Sequence, residues 1–235
     1  MTAKQTLEEL KKMGSESVKK ILMKHGAKEP FYGVKVEDLK KLQKKLKSDQ
    51  SLALELYNTG VGDAMYLAGL MANGPEMTKK QLQDWAEKAS WSMISEYSVP
   101  WVAAESKYGW ELALEWINSP KENIASTGWS TLSSIVAVKE DSELNIEELK
   151  KLLARVQKEI HKAQNRVCYT MNGFVIAVGG YVKELTETAF KTAENIGQVT
   201  VDVGGTACKV PAAVDYINKM KQKGTIGKKR KTAKC

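Results

Sequence analysis

The chain has 235 residues, 43% of them hydrophobic and 27% charged. That composition supports a substantial core and excludes a low-complexity chain. No apolar run approaches the roughly 18 residues a membrane span needs, MTAKQTLEELKK has no signal-peptide core, and three scattered cysteines argue against a disulfide framework. A cytoplasmic monomer is the expectation.

The formal charge of +8 is unevenly placed. From Lys219 onward there are eight Lys and Arg and no acid, which leaves 28 basic and 28 acidic residues in the body. A basic tail on a neutral body points to a polyanionic partner.

Thr6-x-x-Glu9 has capping-box spacing, and Gly14 and Gly26 follow short periodic segments, so helices are expected near 5–13 and 16–25. His25, beside a helix-ending glycine, reads as a favourable cation rather than a catalyst. Val36–Lys47 sets Val36, Leu39, Leu42 and Leu46 on one face and Lys40, Lys44 and Lys47 on another. Those lysines are candidates for phosphate contact. Leu52–Asn58 and Asp63–Met71 form an expected antiparallel pair, and Thr78-x-x-Gln81 opens a further helix.

All six tryptophans fall between Trp85 and Trp129. In Lys88–Ser106, KASWSMISEYSVPWVAAES, Trp91 and Ser95 are spaced i, i+4 and share a face in a helix. Helices are expected from Ser90 to Tyr97, after a bend at Val99-Pro100, near Trp110–Asn118, and again after Ser119-Pro120. Asn145 is placed to cap a helix to about Lys162, Arg166–Val178 reads as an inner helix packed on both sides, and Tyr181–Ile196 stops at Gly197. Gln198–Gly205 is the one extended segment expected, and Pro211 suits the first turn of a final helix.

Ten to twelve short helices at turn-like spacing make an all-α, HEAT-like repeat solenoid, with a globular helical bundle as the alternative. The expected domains are a repeat body over 1–196 and an irregular basic extension over 197–235. Phosphate-loop, dinucleotide, zinc-protease and serine-hydrolase motifs are all missing, and the two histidines lie far apart. No metal or organic cofactor is implied.

The run Tyr32-Gly33-Val34-Lys35-Val36-Glu37-Asp38-Leu39-Lys40-Lys41, with Tyr66-Leu67-Ala68-Gly69-Leu70 further on, resembles the AlkD-type DNA alkylation repair glycosylases over most of residues 5–195. The resemblance implies a HEAT-like solenoid whose concave face holds duplex DNA and excises cationic alkylpurines without a deep base pocket. It also implies an active segment K-x-x-W-D-x-x-D. Here Lys88-Ala89-Ser90-Trp91-Ser92-Met93-Ile94-Ser95 keeps the tryptophan and replaces both acids with serine. A hydroxyl offers little field to a cationic transition state, since hydrogen bonds to charged groups contribute about 1.5–3 kcal/mol against roughly 1 for neutral ones.

Ser126 and Thr127 stand where the family has an arginine, and Phe174 aligns with a second active-site tryptophan. The expected function is therefore recognition of alkylated or distorted double-stranded DNA through Trp91, Ser95 and Phe174, with no catalytic residue assigned. Phosphate contacts are expected from Lys40, Lys44 and Lys47 and from Lys228, Lys229, Arg230 and Lys231 of the extension, packed on the last helical pair. One alternative is an active glycosylase using Glu96 or Glu105, although Glu96 lies about 100° round the helix from Ser95. The other is a protein-interaction scaffold.

Overall fold

The computed structural model describes residues 1–206 and 208–234; Ala207 and Cys235 lie outside the described residues. Thirteen α-helices and no strand occur among the described residues. In chain order they are α1 (Ala3–Met13), α2 (Glu16–Lys24), α3 (Val36–Leu46), α4 (Gln50–Asn58), α5 (Gly62–Met71), α6 (Lys79–Lys88), α7 (Val99–Ala104), α8 (Gly109–Trp116), α9 (Glu122–Val138), α10 (Ile146–Glu159), α11 (Asn165–Tyr181), α12 (Thr186–Ile196) and α13 (Ala213–Gln222). None is long and apolar enough to cross a membrane.

Two kinds of helix follow from two kinds of sequence. α6 and α10 bury one stripe each, Leu82, Trp85 and Ala86 in the first and Leu149, Leu152, Leu153 and Val156 in the second. α5, α7, α9 and α11 are apolar on most sides, and every residue of α5 and α7 is buried. These four make an inner row, with α9 packed against α11, α8 and α7, and α13 closing the far end against α11 and α12. Small residues permit the approach. A Cβ on Gly69 of α5 would lie 2.6 Å from the Ser98 Cβ, so the two backbones meet there with no side chain between them.

Local signals were partly displaced from where the sequence suggested. The first capping box is Thr2 with Gln5, whose side chain accepts the Thr2 N–H at 2.9 Å; Thr6 is fully buried and donates back to the Thr2 carbonyl. Thr78 and Asn145 cap as expected. The expected bend at Pro100 is instead a π-helical turn, Ile94–Ser98, running straight into α7. The widened turn accommodates a proline that donates no N–H.

Residues 198–205 do not pair as a strand. Val199 and Val201 are buried, Asn165 clamps Asp202 through both its backbone groups, and Gly204, at φ +71°, passes against the Lys24 carbonyl too closely for any Cβ. The loop thereby links α11 back to the end of α2.

The basic extension continues past the last helical pair along the whole inner row. Gly227 donates to Gly180 at the end of α11 at 2.9 Å. Lys229 reaches the Val136 carbonyl at 3.0 Å and pairs with Asp141, while the Arg230 N–H donates to Ala137 at 2.7 Å, both at the end of α9. Thr232 and Ala233 donate to the Glu105 carboxylate at the end of α7, and Lys234 donates to the Leu70 and Ala72 carbonyls at the end of α5. Helix C-termini carry partial negative charge and unpaired carbonyls, so a cationic strap complements them.

Candidate nucleic-acid interface

While the strap occupies the C-terminal ends of the inner helices, the starts of α9 and α11 share one groove with Trp91, the tryptophan of the resemblance. Trp91 and Ser95 are joined by one helical turn, Ser95 N–H to Trp91 carbonyl at 3.1 Å, and do share a face. With Glu122, Asn123 and Ser126 from the start of α9 and Arg166 from the start of α11, they line a groove of about 560 Å³. α1, α4, α6 and α10 have side-chain caps, from Thr2, Asp49, Thr78 and Asn145. α9, which begins at the groove, has none, and at the start of α11 the Arg166 N–H is already taken by the Glu122 carboxylate. Uncapped helix starts present N–H groups and positive dipole ends to an anion.

Arg166 is the residue the sequence reading missed. It opens an apolar helix at the end where the dipole disfavours a cation, and a specific partner resolves the conflict. Its guanidinium makes a two-pronged pair with Glu96 at 2.6 and 2.5 Å and stacks over Tyr169, 4.4 Å from the ring centroid. The Glu96 side chain is 2% exposed. Burial pushes its carboxyl above the usual range, against the opposing pull of Arg166.

Glu96 thus points away from the groove surface, as its place on the helix implied. Glu105 is held by the strap. Glu122 does line the groove, and its carboxylate also accepts the Arg166 backbone N–H at 2.8 Å.

A second groove of about 550 Å³ continues from Arg166 and Tyr169 between α2 and the 198–211 loop, with Lys24, His25 and Lys209 on its walls. Among the described residues no group of three or more His, Cys, Asp or Glu is arranged to hold a metal ion.

Other expected contacts are placed apart. Phe174 is a correction: it is fully buried against Trp129, ring centroids 5.2 Å apart, because α11 is enclosed by its neighbours at that depth. Ser126 and Thr127, which stand where the family has an arginine, are fully buried and donate to the Asn123 carbonyl, Ser126 at the edge of the groove. Ser95, 2% exposed, touches the groove only from its floor. Lys40, Lys44 and Lys47 run toward the far end of α3 and line neither groove. In the strap, Lys228 and Lys231 are exposed, while the Lys229 side chain is only 9% exposed.

An all-helical repeat with an arginine and a helix start facing one groove defines the class of fold as a helical-repeat solenoid. The comparisons make it specific: residues 5–190 match the model of the DNA alkylation repair enzyme family, and the chain belongs to that family. It is 32% identical over 221 residues to the uncharacterized proteins Lin0241 of Listeria innocua and Lmo0209 of Listeria monocytogenes, covering 92% of this chain and 95% of each relative. A solved structure from a new family of proteins related to the HEAT-like repeat DNA glycosylases, with affinity for branched DNA structures, superposes with a TM-score of 0.90 at 33% identity over the full length of both chains. The HEAT-like helical-repeat fold is thereby established.

Proposed function

We propose that this protein binds branched or otherwise distorted DNA through the groove between Trp91 and Arg166, without excising a base. The observation that carries this reading is Ser95. The position that the resemblance assigns to the catalytic acid holds a neutral hydroxyl, buried on the floor of a groove otherwise suited to phosphate. The affinity of the structural neighbour for branched DNA supports the choice of ligand.

The uncapped start of α9 receives phosphate oxygens, Arg166 is held at the start of α11 by Glu96 and Tyr169, and Lys24, Lys28 and Lys209 flank the path. The Trp91 indole offers an aromatic face at the point of distortion. The lysines of α3 add outlying phosphate contacts.

A second reading rests on Glu122, the carboxylate that shares the groove with Ser95. In an enzyme it would stabilise an oxocarbenium sugar and orient water. Duplex DNA carrying 7-methylguanine or 3-methyladenine separates the two readings. Binding with base release at the spontaneous rate is expected. Release above that rate, abolished by Glu122→Gln, would overturn the proposal and make the chain a glycosylase.

A further inference from the structure

Beside the groove lies a cavity that the phosphate-binding reading does not use. It has a volume of about 200 Å³ and is enclosed by Val18 and Leu22 of α2, Phe31, Val36 and Leu39, Tyr66 and Trp91. Its walls are almost wholly apolar. The one carboxylate among them, Asp63, is already occupied by the backbone N–H groups of Tyr32 and Val34 at 2.5 and 2.8 Å.

One polar atom is left over. Trp91 is 8% exposed, and its indole Nε1–H has no hydrogen-bond partner. A Cβ on Gly62, which lines this cavity and not the groove, would lie 3.4 Å from that nitrogen, so the unpaired N–H sits on the cavity's side of the ring. A buried donor without a partner is costly, and native structures seldom leave one without a reason.

The cavity and the DNA-binding grooves share walls. Trp91 lines the cavity and the first groove, and Leu22 and Met93 line the cavity and the second. The roof is α2, a helix with no fully buried residue, on which Ile21 and Met23 are more than half exposed.

We propose that this cavity receives a single unpaired nucleobase from the branch point of the bound DNA. The inference rests on the proposed function and names the feature of the branch that is read. The occupant follows from three properties of the site. The volume is below the roughly 300–1,000 Å³ of pockets for drug-sized ligands, which suits one planar heterocycle and not a base pair. The walls include the aromatic rings of Phe31, Tyr66 and Trp91, residues of the type on which bases stack. The unpaired indole N–H meets an acceptor that every base carries as a ring nitrogen or carbonyl oxygen, so the site selects for an unpaired base and not for its identity. A base that is already unpaired enters at the least cost in lost stacking and pairing. Lys35, exposed at the cavity's edge, is placed for the phosphate of the same nucleotide.

The test uses two three-way junctions, one fully paired and one with unpaired thymines at the branch, each saturated with the full-length protein and treated with permanganate, which oxidises thymines that are unstacked and accessible. One thymine is expected to become protected in the wild-type complex. Val36→Phe, which fills the cavity from a half-buried position, is expected to abolish protection while the fully paired junction is still bound. Gly62→Ala, whose methyl would press on Phe31 at 3.2 Å and lie against the indole nitrogen at 3.4 Å, provides a second variant should the first fail to fold. Trp91→Phe, which removes the N–H and keeps an aromatic ring, is expected to weaken binding of the unpaired junction roughly fivefold, the equivalent of one neutral hydrogen bond.

Thymines that all remain reactive in a saturated wild-type complex would overturn the cavity assignment and leave junction binding standing. No binding to either junction would overturn both.

Discussion

Arg166 and Glu96 show how a single pair can set a binding surface. Breaking a buried pair by removing one partner strands the other, so Glu96→Ala is expected to cost about 3 kcal/mol, the lower end of the range because Arg166 keeps one wet edge. Urea unfolding measures it. The pair also gives a pH signature. Burial raises the Glu96 carboxyl in the folded state above its unfolded value, with Arg166 opposing. Between the two values the folded protein holds more protons, so stability relative to Glu96→Gln is greatest at low pH and declines as pH rises through the interval. Paired melts run upward from the ordinary glutamate value of about 4.3 check the sign, and a difference that grows with pH would refute it.

Phe174 belongs to the same scale. Phe174→Ala is expected to lower stability by about 3–5 kcal/mol as a core truncation. A folded variant with normal stability and lost DNA affinity would return it to the interface. The i, i+4 spacing of Trp91 and Ser95 was legible because it depends only on helix geometry. Arg166 was not, because its partner is 70 residues away and only the fold brings them together.

Between elements, the contact that governs the site is the one between α5 and the π-helical turn, since that turn carries Ser95 and Glu96. Gly69→Ala would drive a methyl group into Ser98 and is expected to cost about 1–3 kcal/mol by overpacking. Ser98→Gly in the same chain should recover part of the loss, because it removes the nearest side-chain atoms, as thermal unfolding of the single and double variants would show. Amphipathic stripes made the outer helices readable, and the apolar, small-residue character of Arg166–Val178 marked an inner helix. The π-helical turn was not readable, because the same proline signals either a bend or a widened turn until neighbouring helices fix the path. Nor was the path of the extended segment 198–205, where Val199 and Val201 serve core packing and Gly204 serves close approach to α2.

At the scale of the whole molecule, the inner row is polar in a literal sense: α9 and α11 start at the groove, and the ends of all four helices face the strap. The basic tail was visible in the sequence, but its destination was not, since a helix C-terminus and a phosphate are both negative and composition does not distinguish them. Deleting residues 225–235 removes hydrogen bonds to the ends of all four inner helices. At about 0.5 kcal/mol per net bond, the low end of the range, six such bonds make the expected loss about 3 kcal/mol or more. Neutralising only the exposed Lys228 and Lys231 should leave the melting temperature unchanged. A truncated chain as stable as the full one would mean that the strap holds nothing.

The central claim, that the groove reads branched DNA, is tested most directly by competition. A labelled linear duplex bound at fixed moderate salt is displaced by an unlabelled four-way junction or by an unlabelled duplex of the same length and composition. The account predicts displacement by the junction at roughly a tenth of the duplex concentration, with that advantage reduced by Arg166→Ala. Equal competition by junction and duplex would mean that the groove binds phosphate without regard to shape, and would contradict it.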